Sequence, residues 1–336
     1  MITSLIEKLV QKENLTFDEA VSAMTLIMDG EVTPSQFGSL ITALRMKGET
    51  VEEVSGMASV MRTMSLHVET GNDLVDTCGT GGDGFGTFNV STAAAFVAAG
   101  AGIKVGKHGN RAMSSKSGSA DVLEALGANI QLNPQQIANC ISETGFGFMF
   151  AQSFHPSMKY AAGPRREMGI RTVFNILGPL TNPAGAARQV VGVADPSFGE
   201  LMANVLGKLG SEKALVVHGD DGLDEITIST SSTVWELEAG KVSTYQIKPE
   251  DFGIAVSSLE NIKAGNAVES ANVIRGVLAG EPGPSRDIVV MNAGATLFVA
   301  GISNILSECM SISENSIDSG KAMKSLDEHI KLSNAM

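Results

Sequence analysis

The sequence has few cysteines and no long apolar run. Its 336 residues include three cysteines, Cys78, Cys140 and Cys309, which are scattered and lack the spacing of metal ligands. That usage favours a reducing cytoplasm over a disulfide framework. The most apolar stretch, 93–103, has 11 residues of mostly small side chains, whereas a bilayer span needs about 20. We therefore predict a cytoplasmic protein that does not cross a membrane.

Basic residues are also scarce. Lys and Arg number 24 against 37 Asp and Glu, which gives a net charge of −13. A nucleic-acid-binding protein is expected to be basic, so this class of function is disfavoured. The segment 104–188 differs from the rest, with nine basic and four acidic residues. A positive region in an acidic protein favours small anionic substrates, and the alternative is that these charges point in many directions.

The length and the residue pattern predict two domains, at about 150 residues per domain. Residues 1–72 predict an all-helical domain, because capping boxes begin at Thr16, Thr33 and Thr50 and no strand-like run interrupts the helices. Residues 73–336 alternate short β-prone runs with helical ones, which predicts an α/β domain with a largely parallel central sheet. Helices near 165–185 are candidates to pack onto the helical domain.

The expected elements of the α/β domain can be placed to within a few residues. Strands are expected over 74–77, 103–106, 146–150, 190–194 and 214–218, with an antiparallel hairpin over 236–247. Helices are expected to start near 91, 119, 134, 197 and 266, and a closing helix is expected over 313–332.

A glycine-rich loop follows the first expected strand. Residues 79–86 hold five glycines in eight positions, and a helix opens near Ser91. Such a loop turns its N–H groups toward one point, and the helix N-terminus adds further donors, so together they suit a phosphate or pyrophosphate. The alternative is a tight turn without a ligand, which needs far fewer glycines.

The same glycines match the dinucleotide fingerprint, but a nicotinamide site is disfavoured. A Rossmann unit places an acidic residue about 20 positions after the glycines to bind the ribose hydroxyls. Residues 84–120 contain no Asp or Glu.

Two further motifs follow other expected strands. Residues 107–119 combine cations with four serines, and they predict a second anion site at the same sheet edge, the alternative being a solvated basic loop. Residues 219–225 end in Asp224 and Glu225, and neighbouring carboxylates suit Mg²⁺, which prefers oxygen ligands. Alone, such a run is more often an acidic turn, but two adjacent phosphate sites favour a metal.

A fourth motif is rich in arginine. Arg165 and Arg166 are followed by Arg171 and a run to position 183 with the turn signals Gly-Pro and Asn-Pro. Paired arginines can clamp a carboxylate. Equally, each could cap a helix or pair with Glu167.

Taken together, these motifs resemble one family. The runs 79–83, 89–92, 107–111, 171–183 and 224–225 are similar to those of anthranilate phosphoribosyltransferases, and the likeness extends from the N-terminus to about residue 310. The resemblance implies a nucleoside phosphorylase-like fold and a magnesium-dependent homodimer with two metal ions. It also implies a step of tryptophan biosynthesis, in which the phosphoribosyl group of phosphoribosyl pyrophosphate (PRPP) is transferred to the amine of anthranilate and pyrophosphate is released.

The resemblance also assigns site residues. Mg²⁺ is expected on Ser91, Asp224 and Glu225, and anthranilate on Gly79, Asn110 and Arg165, with His155 and Tyr160 as further candidates. Asp83 is an anion in an anion site, so it is expected to act through ribose hydroxyls, metal-bound water or the shape of the loop. The residues expected to bind PRPP are Gly79, Gly82, Asp83, Thr87, Asn89, Val90, Ser91, Thr92, Lys107, His108, Gly109, Asn110, Arg111, Ala112, Met113, Ser114, Ser115 and Ser119.

Two relatives of this fold remain as alternatives. A pyrimidine nucleoside phosphorylase would share the glycine motif but would use phosphate and a nucleoside without Mg²⁺. A non-catalytic, nucleic-acid-binding relative would be basic and free to lose Asp224 and Glu225.

Overall fold

The N-terminal part of the chain is helical, as expected. A computed structural model describes residues 1–71, 73–112 and 117–336. The capping boxes at Thr16, Thr33 and Thr50 are all formed, so each threonine hydroxyl accepts a hydrogen bond from the N–H three residues later. The helices of this part are α1 (Ile2–Val10), α2 (Phe17–Met28), α3 (Pro34–Lys47) and α4 (Val51–Thr63).

The apolar faces of these helices share a core with a later part of the chain. The rings of Phe37 and Phe174 lie 5.5 Å apart, and Leu177 and Leu180 are buried in the same cluster. Two helices of the 159–177 region therefore lie against the N-terminal helices, namely α9 (Lys159–Met168) and α10 (Phe174–Leu177).

The strands of the described chain form one seven-stranded sheet in the order β3-β2-β1-β4-β5-β6-β7. The first five in that order are parallel, and β6 and β7 are antiparallel. The prediction of a largely parallel sheet is thus confirmed. The strands are β1 (Leu74–Gly79), β2 (Lys104–Gly109), β3 (Phe146–Phe150), β4 (Arg188–Gly192), β5 (Lys213–Gly219), β6 (Ser232–Glu238) and β7 (Lys241–Ile247).

Helices cover both faces of the sheet, and those expected near 91, 119, 134, 197 and 266 begin within two residues of these positions. One buried layer is α5 (Val90–Gly100), whose small side chains allow close packing against β1, β2 and α13 (Pro284–Ala300). The remaining helices are α6 (Ser119–Leu126), α7 (Pro134–Thr144), α8 (Ala151–Phe154), α11 (Gly199–Lys208), α12 (Ala267–Leu278), α14 (Leu306–Asp318) and α15 (Lys321–Asn334).

Two expected boundaries are wrong. The hairpin begins at Ser232 rather than at 236, because β6 pairs with β5 along its whole length, from Lys213 opposite Glu238 to Gly219 opposite Ser232. The closing helix over 313–332 is two helices. Gly320 adopts φ 75° between α14 and α15, a left-handed conformation that ends a helix readily at glycine.

The topology brings the sequence motifs to one edge of the sheet. The glycine-rich loop follows β1, the basic segment follows β2, and the acidic turn follows β5. Since these strands are parallel, their carboxyl ends share one edge, which is where α/β sheets bind ligands. No helix of the described residues has both the length and the apolar character that crossing a membrane requires.

Candidate active site

A cavity of about 750 Å³ opens at this edge, between the sheet and the helical part of the chain. Its wall is built from the glycine-rich loop, the segment after β2, the α8–α10 region and the acidic turn. Most residues expected to bind a ligand line it, namely Gly79, Gly82, Asp83, Thr87, Asn89, Val90, Ser91, Lys107, His108, Gly109, Asn110, Arg111, Ala112, Ser119, His155, Arg165, Asp224 and Glu225.

The backbone of the glycine-rich loop requires glycine. Gly81, Gly82, Gly84 and Gly86 have φ between 65° and 81°, a region that other residues rarely adopt. At the start of the loop, the N–H of Thr80 donates to the carbonyl oxygen of Gly192 at 2.9 Å. The loop is therefore fixed to the end of β4 while the cavity lies beside it.

Glycines also make room for the acidic turn. A Cβ atom at Gly79 would lie 2.6 Å from Oδ2 of Asp224, and one at Gly192 would overlap the carbonyl oxygen of Asp224. The strand ends of β1 and β4 thus approach the turn so closely that only glycine fits. This contact places Asp224 beside the glycine-rich loop, where its Oδ2 accepts a hydrogen bond from the N–H of Gly81 at 2.7 Å.

Asp224 and Glu225 are two neighbouring carboxylates that are partly buried in the cavity wall. Burial and the charge of Asp83 raise the pKa of Asp224, while burial and the charge of Asp224 raise the pKa of Glu225. Glu225 also accepts a hydrogen bond from the N–H of Ser91 at 3.1 Å. Carboxylates crowded together in this way gain from a bound cation, which would offset their repulsion.

The oxygen atoms available here suit Mg²⁺ that is shared with a substrate better than a metal ion whose ligands all come from the protein. Among the described residues, no three His, Cys, Asp or Glu side chains are grouped to hold a metal. Mg²⁺ characteristically takes one or two carboxylates and completes its shell with water and substrate phosphates. Asp224 and Glu225 supply such oxygens, and Ser91, whose N–H donates to Glu225, lines the same cavity.

Lys107 is a buried cation at the floor of the cavity. Its exposed fraction is 1%, and Nζ donates to the carbonyl oxygen of Thr77 and, at 3.1 Å, to Oγ of Ser91. Burial lowers its pKa, whereas the nearby carboxylate of Asp76 acts in the opposite direction. The ammonium group therefore lies between β1 and the start of α5, next to the metal candidates.

Asp76 is a residue whose role the sequence did not reveal. Its fully buried carboxylate accepts hydrogen bonds from the N–H of His108 at 3.2 Å and from Nδ2 of Asn182 at 2.8 Å. Nδ2 of Asn182 also donates to the carbonyl oxygen of Gly106 at 2.8 Å. Asp76 thereby ties the end of β2 to the segment that follows α10. Only the apolar neighbours of Asp76 within β1 could have signalled a buried carboxylate.

Asn89 is held in place by another residue that sequence analysis missed. Ser270 of α12 donates from Oγ to Oδ1 of Asn89 at 2.9 Å and accepts from its N–H at 3.0 Å. Oδ1 of Asn89 also accepts from Oγ of Ser117 at 3.2 Å. The partners are 181 and 28 positions away along the chain, so no local pattern indicates them.

The α8–α10 side of the cavity also carries apolar side chains, such as those of Met158 and Phe174. His108 and His155 have ring centroids 5.0 Å apart, and Nε2 of each is buried without a hydrogen-bond partner among the described residues. Burial lowers the pKa of His108 to about 3 and that of His155 to about 4. Both rings are therefore neutral near pH 7. The guanidinium of Arg165 lies 5.1 Å from the ring centroid of Phe174 and forms no salt bridge within the described chain.

Arg111 lines the cavity but has protein partners. It pairs with Asp121 at 2.9 Å and with Glu124 at 2.6 Å. Asp121 also accepts from the N–H groups of Ala112 and Gly118 at 3.0 and 2.9 Å. The guanidinium thus braces the segment after β2 against α6. The predictions for Met113, Ser114 and Ser115 lie outside the described residues.

Two expected site residues do not line the cavity. Tyr160 is 44% exposed and its ring covers Gly30 at the surface of the helical part, because the turn of α9 that carries Arg165 faces the cavity while Tyr160 faces α2. Thr92 is buried in α5 beneath the cavity wall.

Asp220 and Asp221 also have local partners. Asp221 accepts hydrogen bonds from the N–H of Leu223 and the hydroxyl of Thr227, and Asp220 accepts from the hydroxyl of Thr233. They shape the turn that presents Asp224 and do not line the cavity.

Comparisons with known proteins agree with this architecture. Residues 71–323 match the glycosyl transferase family, a/b domain, and residues 3–65 match the glycosyl transferase family, helical bundle domain. An anthranilate phosphoribosyltransferase of Acetivibrio thermocellus is 54% identical over 336 residues, which cover 100% of this chain and 97% of the relative.

Solved structures show the same fold along the whole chain. The anthranilate phosphoribosyltransferase of Thermus thermophilus has a TM-score of 0.94 at 41% identity, covering 98% of this chain and 99% of that one. The enzyme of Saccharomyces cerevisiae, solved in complex with PRPP and Mg, has a TM-score of 0.91 at 29% identity, covering 100% and 98%. The same yeast enzyme solved with 4-fluoroanthranilate has a TM-score of 0.90 at 27% identity, with the same coverage. By family match, full-length identity and fold, the chain therefore belongs to the anthranilate phosphoribosyltransferases of the glycosyl transferase family.

Proposed function

We propose that this protein transfers the phosphoribosyl group of PRPP to the amine of anthranilate and releases pyrophosphate, a step of tryptophan biosynthesis. The observation that carries the proposal is the convergence of three chemical elements on one cavity. These are a glycine-rich anion loop, a pair of carboxylates suited to Mg²⁺, and Arg165, which has no acidic partner among the described residues. Each element matches one part of the two substrates.

The polar half of the cavity suits PRPP. The glycine-rich loop and the N-terminus of α5 offer N–H donors for phosphate oxygens, and the hydroxyls of Ser91 and Ser119 lie in the same wall. Lys107 adds a fixed positive charge. Asp224 and Glu225 would hold Mg²⁺, and we propose two ions, with Ser91 as a further ligand. Bound there, the metal supplies charge neutralisation to the departing pyrophosphate.

The α8–α10 side of the cavity suits anthranilate. Arg165 is free to form a charge-assisted, bidentate pair with the carboxylate of the substrate. The neutral rings of His108 and His155 border the space beside it, and Asn110 lies where it can contact the amine. Arg165 thus orients the ring so that the amine faces the anomeric carbon, with Gly79 at the boundary between the two substrates.

In the proposed reaction, the C1′–N bond forms and the C1′–O bond to pyrophosphate breaks. The electron pair of the broken bond leaves on the pyrophosphate oxygen, where the loop N–H groups and Lys107 stabilise it. The new arylammonium group is strongly acidic and loses one proton to water or to Nε2 of a neutral histidine. The protein contributes mainly by positioning and electrostatics.

Three further statements belong to this proposal. The enzyme is a homodimer joined through the helical domain, it works in the cytoplasm, and residues 1–72 form that domain while 73–336 form the phosphoribosyl-binding one. The shared core of α3 and α10 supports a helical domain that also takes in helices near 165–185. Light scattering of the purified protein at micromolar concentration tests the dimer, and a monomer mass would exclude it.

The fluorescence of anthranilate tests the function. We expect it to fall only when protein, PRPP and Mg²⁺ are all present. If no condition of metal or pH gives a loss, while thymidine and phosphate are converted to thymine, the protein is a pyrimidine nucleoside phosphorylase instead.

A further inference from the structure

Arg171 is a cation in the cavity wall to which the proposed function assigns no role. It lies between α9 and α10 and lines the cavity together with the glycine-rich loop. Its Nη2 donates to the carbonyl oxygen of Gly81 at 3.0 Å, and a Cβ atom at Gly82 would overlap its Nη1. The guanidinium is thus in direct contact with the loop that faces the diphosphate of PRPP.

Arg171 lacks a neutralising partner within the described part of the chain. Arg111, Arg188, Arg275 and Arg286 each have a carboxylate oxygen within 4.0 Å, whereas no carboxylate there lies that close to Arg171. The hydrogen bond from the Ser197 side chain lowers the pKa of Asp195 most and the charge of Arg171 contributes, so this acid is near, but Asp195 and Arg171 do not form a salt bridge. A guanidinium has five N–H donors, and only one of them bonds to Gly81.

The position of Arg171 is set from outside the loop. Its carbonyl oxygen accepts a hydrogen bond from Nη1 of Arg45 in α3. The N–H of the next residue, Thr172, donates to Oδ1 of Asn175 at 2.8 Å. The backbone of Arg171 is therefore anchored to the helical part, and its guanidinium reaches the glycine-rich loop that follows β1.

The peptide groups of Gly81 face charges of opposite sign. Its N–H donates to Asp224, and its carbonyl oxygen accepts from Arg171. Asp83, Asp224 and Glu225 line the same part of the cavity and are negative, and a diphosphate would add more negative charge. A planar fork with free donors is the group best suited to two phosphate oxygens at such a point.

We propose that Arg171 binds the diphosphate group of PRPP and stays on pyrophosphate as it departs. The inference rests on the proposed function and adds one residue to those that bind PRPP. When the C1′–O bond breaks, its electron pair moves onto pyrophosphate, and Arg171 offsets part of this charge. The rival role is that of a brace, in which Arg171 only holds the loop through Gly81.

Direct binding of pyrophosphate with Mg²⁺ to the full-length protein, measured by calorimetry, tests the proposal. Arg171→Gln keeps an N–H donor for the carbonyl oxygen of Gly81 but removes the charge. We expect at least about a tenfold loss of pyrophosphate affinity, a similar rise in KM for PRPP, and an unchanged KM for anthranilate. Arg171→Lys should recover part of the loss. Arg166→Gln is the matched control, because Arg166 is exposed on α9 and does not line the cavity.

If Arg171→Gln binds pyrophosphate within twofold of the wild type, Arg171 is only a brace and the proposal is wrong. If this variant does not fold, NMR spectra of wild-type protein with labelled arginine side chains decide. The signal of Arg171 is the one that is absent from the spectrum of Arg171→Lys, and it must shift when pyrophosphate is added. A signal that stays in place overturns the proposal. The proposed function fails separately, when wild-type protein binds pyrophosphate but leaves anthranilate unchanged.

Discussion

Single residues of this site either offer a charge to a substrate or hold another cavity residue in position. Arg165 is the clearest example of the first kind, since it stacks on Phe174 and forms no salt bridge within the described residues. Asp76 and Ser270 are examples of the second kind, because each is buried and binds a residue that lines the cavity.

Replacing Arg165 by alanine should act on anthranilate. A hydrogen bond to a charged group contributes about 1.5–3 kcal/mol, so we expect KM for anthranilate to rise by about 10- to 100-fold. KM for PRPP should change little. Steady-state kinetics with each substrate varied in turn measures both values. Arg166→Ala is the control, and an equal effect of the two alanine variants would mean that Arg165 does not hold the carboxylate.

The acidic pair should make the metal-free protein less stable as the pH rises. Burial raises the pKa of Asp224 and Glu225 in the folded state, so the folded chain binds more protons than the unfolded chain above about pH 4. Stability therefore falls as the pH rises from the unfolded pKa toward the folded pKa, and the loss is complete above the latter.

The variant Asp224→Asn with Glu225→Gln tests this relation. Both replacements keep a carbonyl oxygen for the N–H groups of Gly81 and Ser91. Without Mg²⁺, we expect the melting temperature at pH 8 to rise by about 2 °C or more over the wild type, and the difference to vanish near pH 4. Metal-dependent turnover should be lost. If the variant melts at a lower temperature than the wild type at pH 8, the two ionised carboxylates do not destabilise the folded protein, and this account of the pair is wrong.

Sequence analysis found charged site residues but not their supports. Lys107, Asp224 and Glu225 stand in short motifs with a recognisable chemistry, and they line the cavity. Whether Tyr160 faces the cavity depends on which side of α9 packs against α2, and spacing alone does not decide that. The contact of Asp76 with Asn182 joins positions 106 residues apart, so only the folded chain reveals it.

At the scale of elements, the site depends on how closely strand ends approach one another. The ends of β1 and β4 contact the acidic turn after β5, and this contact is possible because Gly79 and Gly192 have no side chain. The turn therefore presents Asp224 to the glycine-rich loop at hydrogen-bond distance.

Gly192→Ala should damage the metal site without reaching into the cavity. The added methyl group would overlap the carbonyl oxygen of Asp224, so the turn must move away from β4. We expect loss of Mg²⁺-dependent turnover and weaker Mg²⁺ binding by calorimetry. Gly38→Ala is the matched control, because nothing lies within 4 Å of the added atom in α3 and alanine favours a helix. Equal Mg²⁺ affinity in the two variants would contradict this account of the turn.

The order of elements could be predicted, and their exact ends could not. Alternating β-prone and helical runs indicated the parallel sheet, since each run has its own period of apolar residues. The break at Gly320 was missed because apolar residues continue at helical spacing on both sides of it. The start of β6 was missed because its pairing with β5, rather than its own composition, extends it to Ser232.

At the scale of the molecule, a sheet edge and a helical bundle enclose a cavity whose two sides differ in the groups that they offer to a substrate. The sheet supplies the loops that suit a sugar diphosphate, and the helical side supplies Arg165 and Arg171. Glycine motifs on the sheet were readable from the sequence because phosphate binding restricts the backbone itself. How the two parts join could not be predicted, because it depends on apolar contacts between residues far apart in the sequence, such as that of Phe37 with Phe174.

The most direct test follows both products of the reaction at once. ³¹P NMR of wild-type protein with PRPP, anthranilate and Mg²⁺ should show PRPP replaced by pyrophosphate and a phosphoribosyl product in equal amounts, and neither should form without anthranilate. If PRPP persists, or if pyrophosphate appears at the same rate without anthranilate, the cavity does not transfer the phosphoribosyl group to this amine.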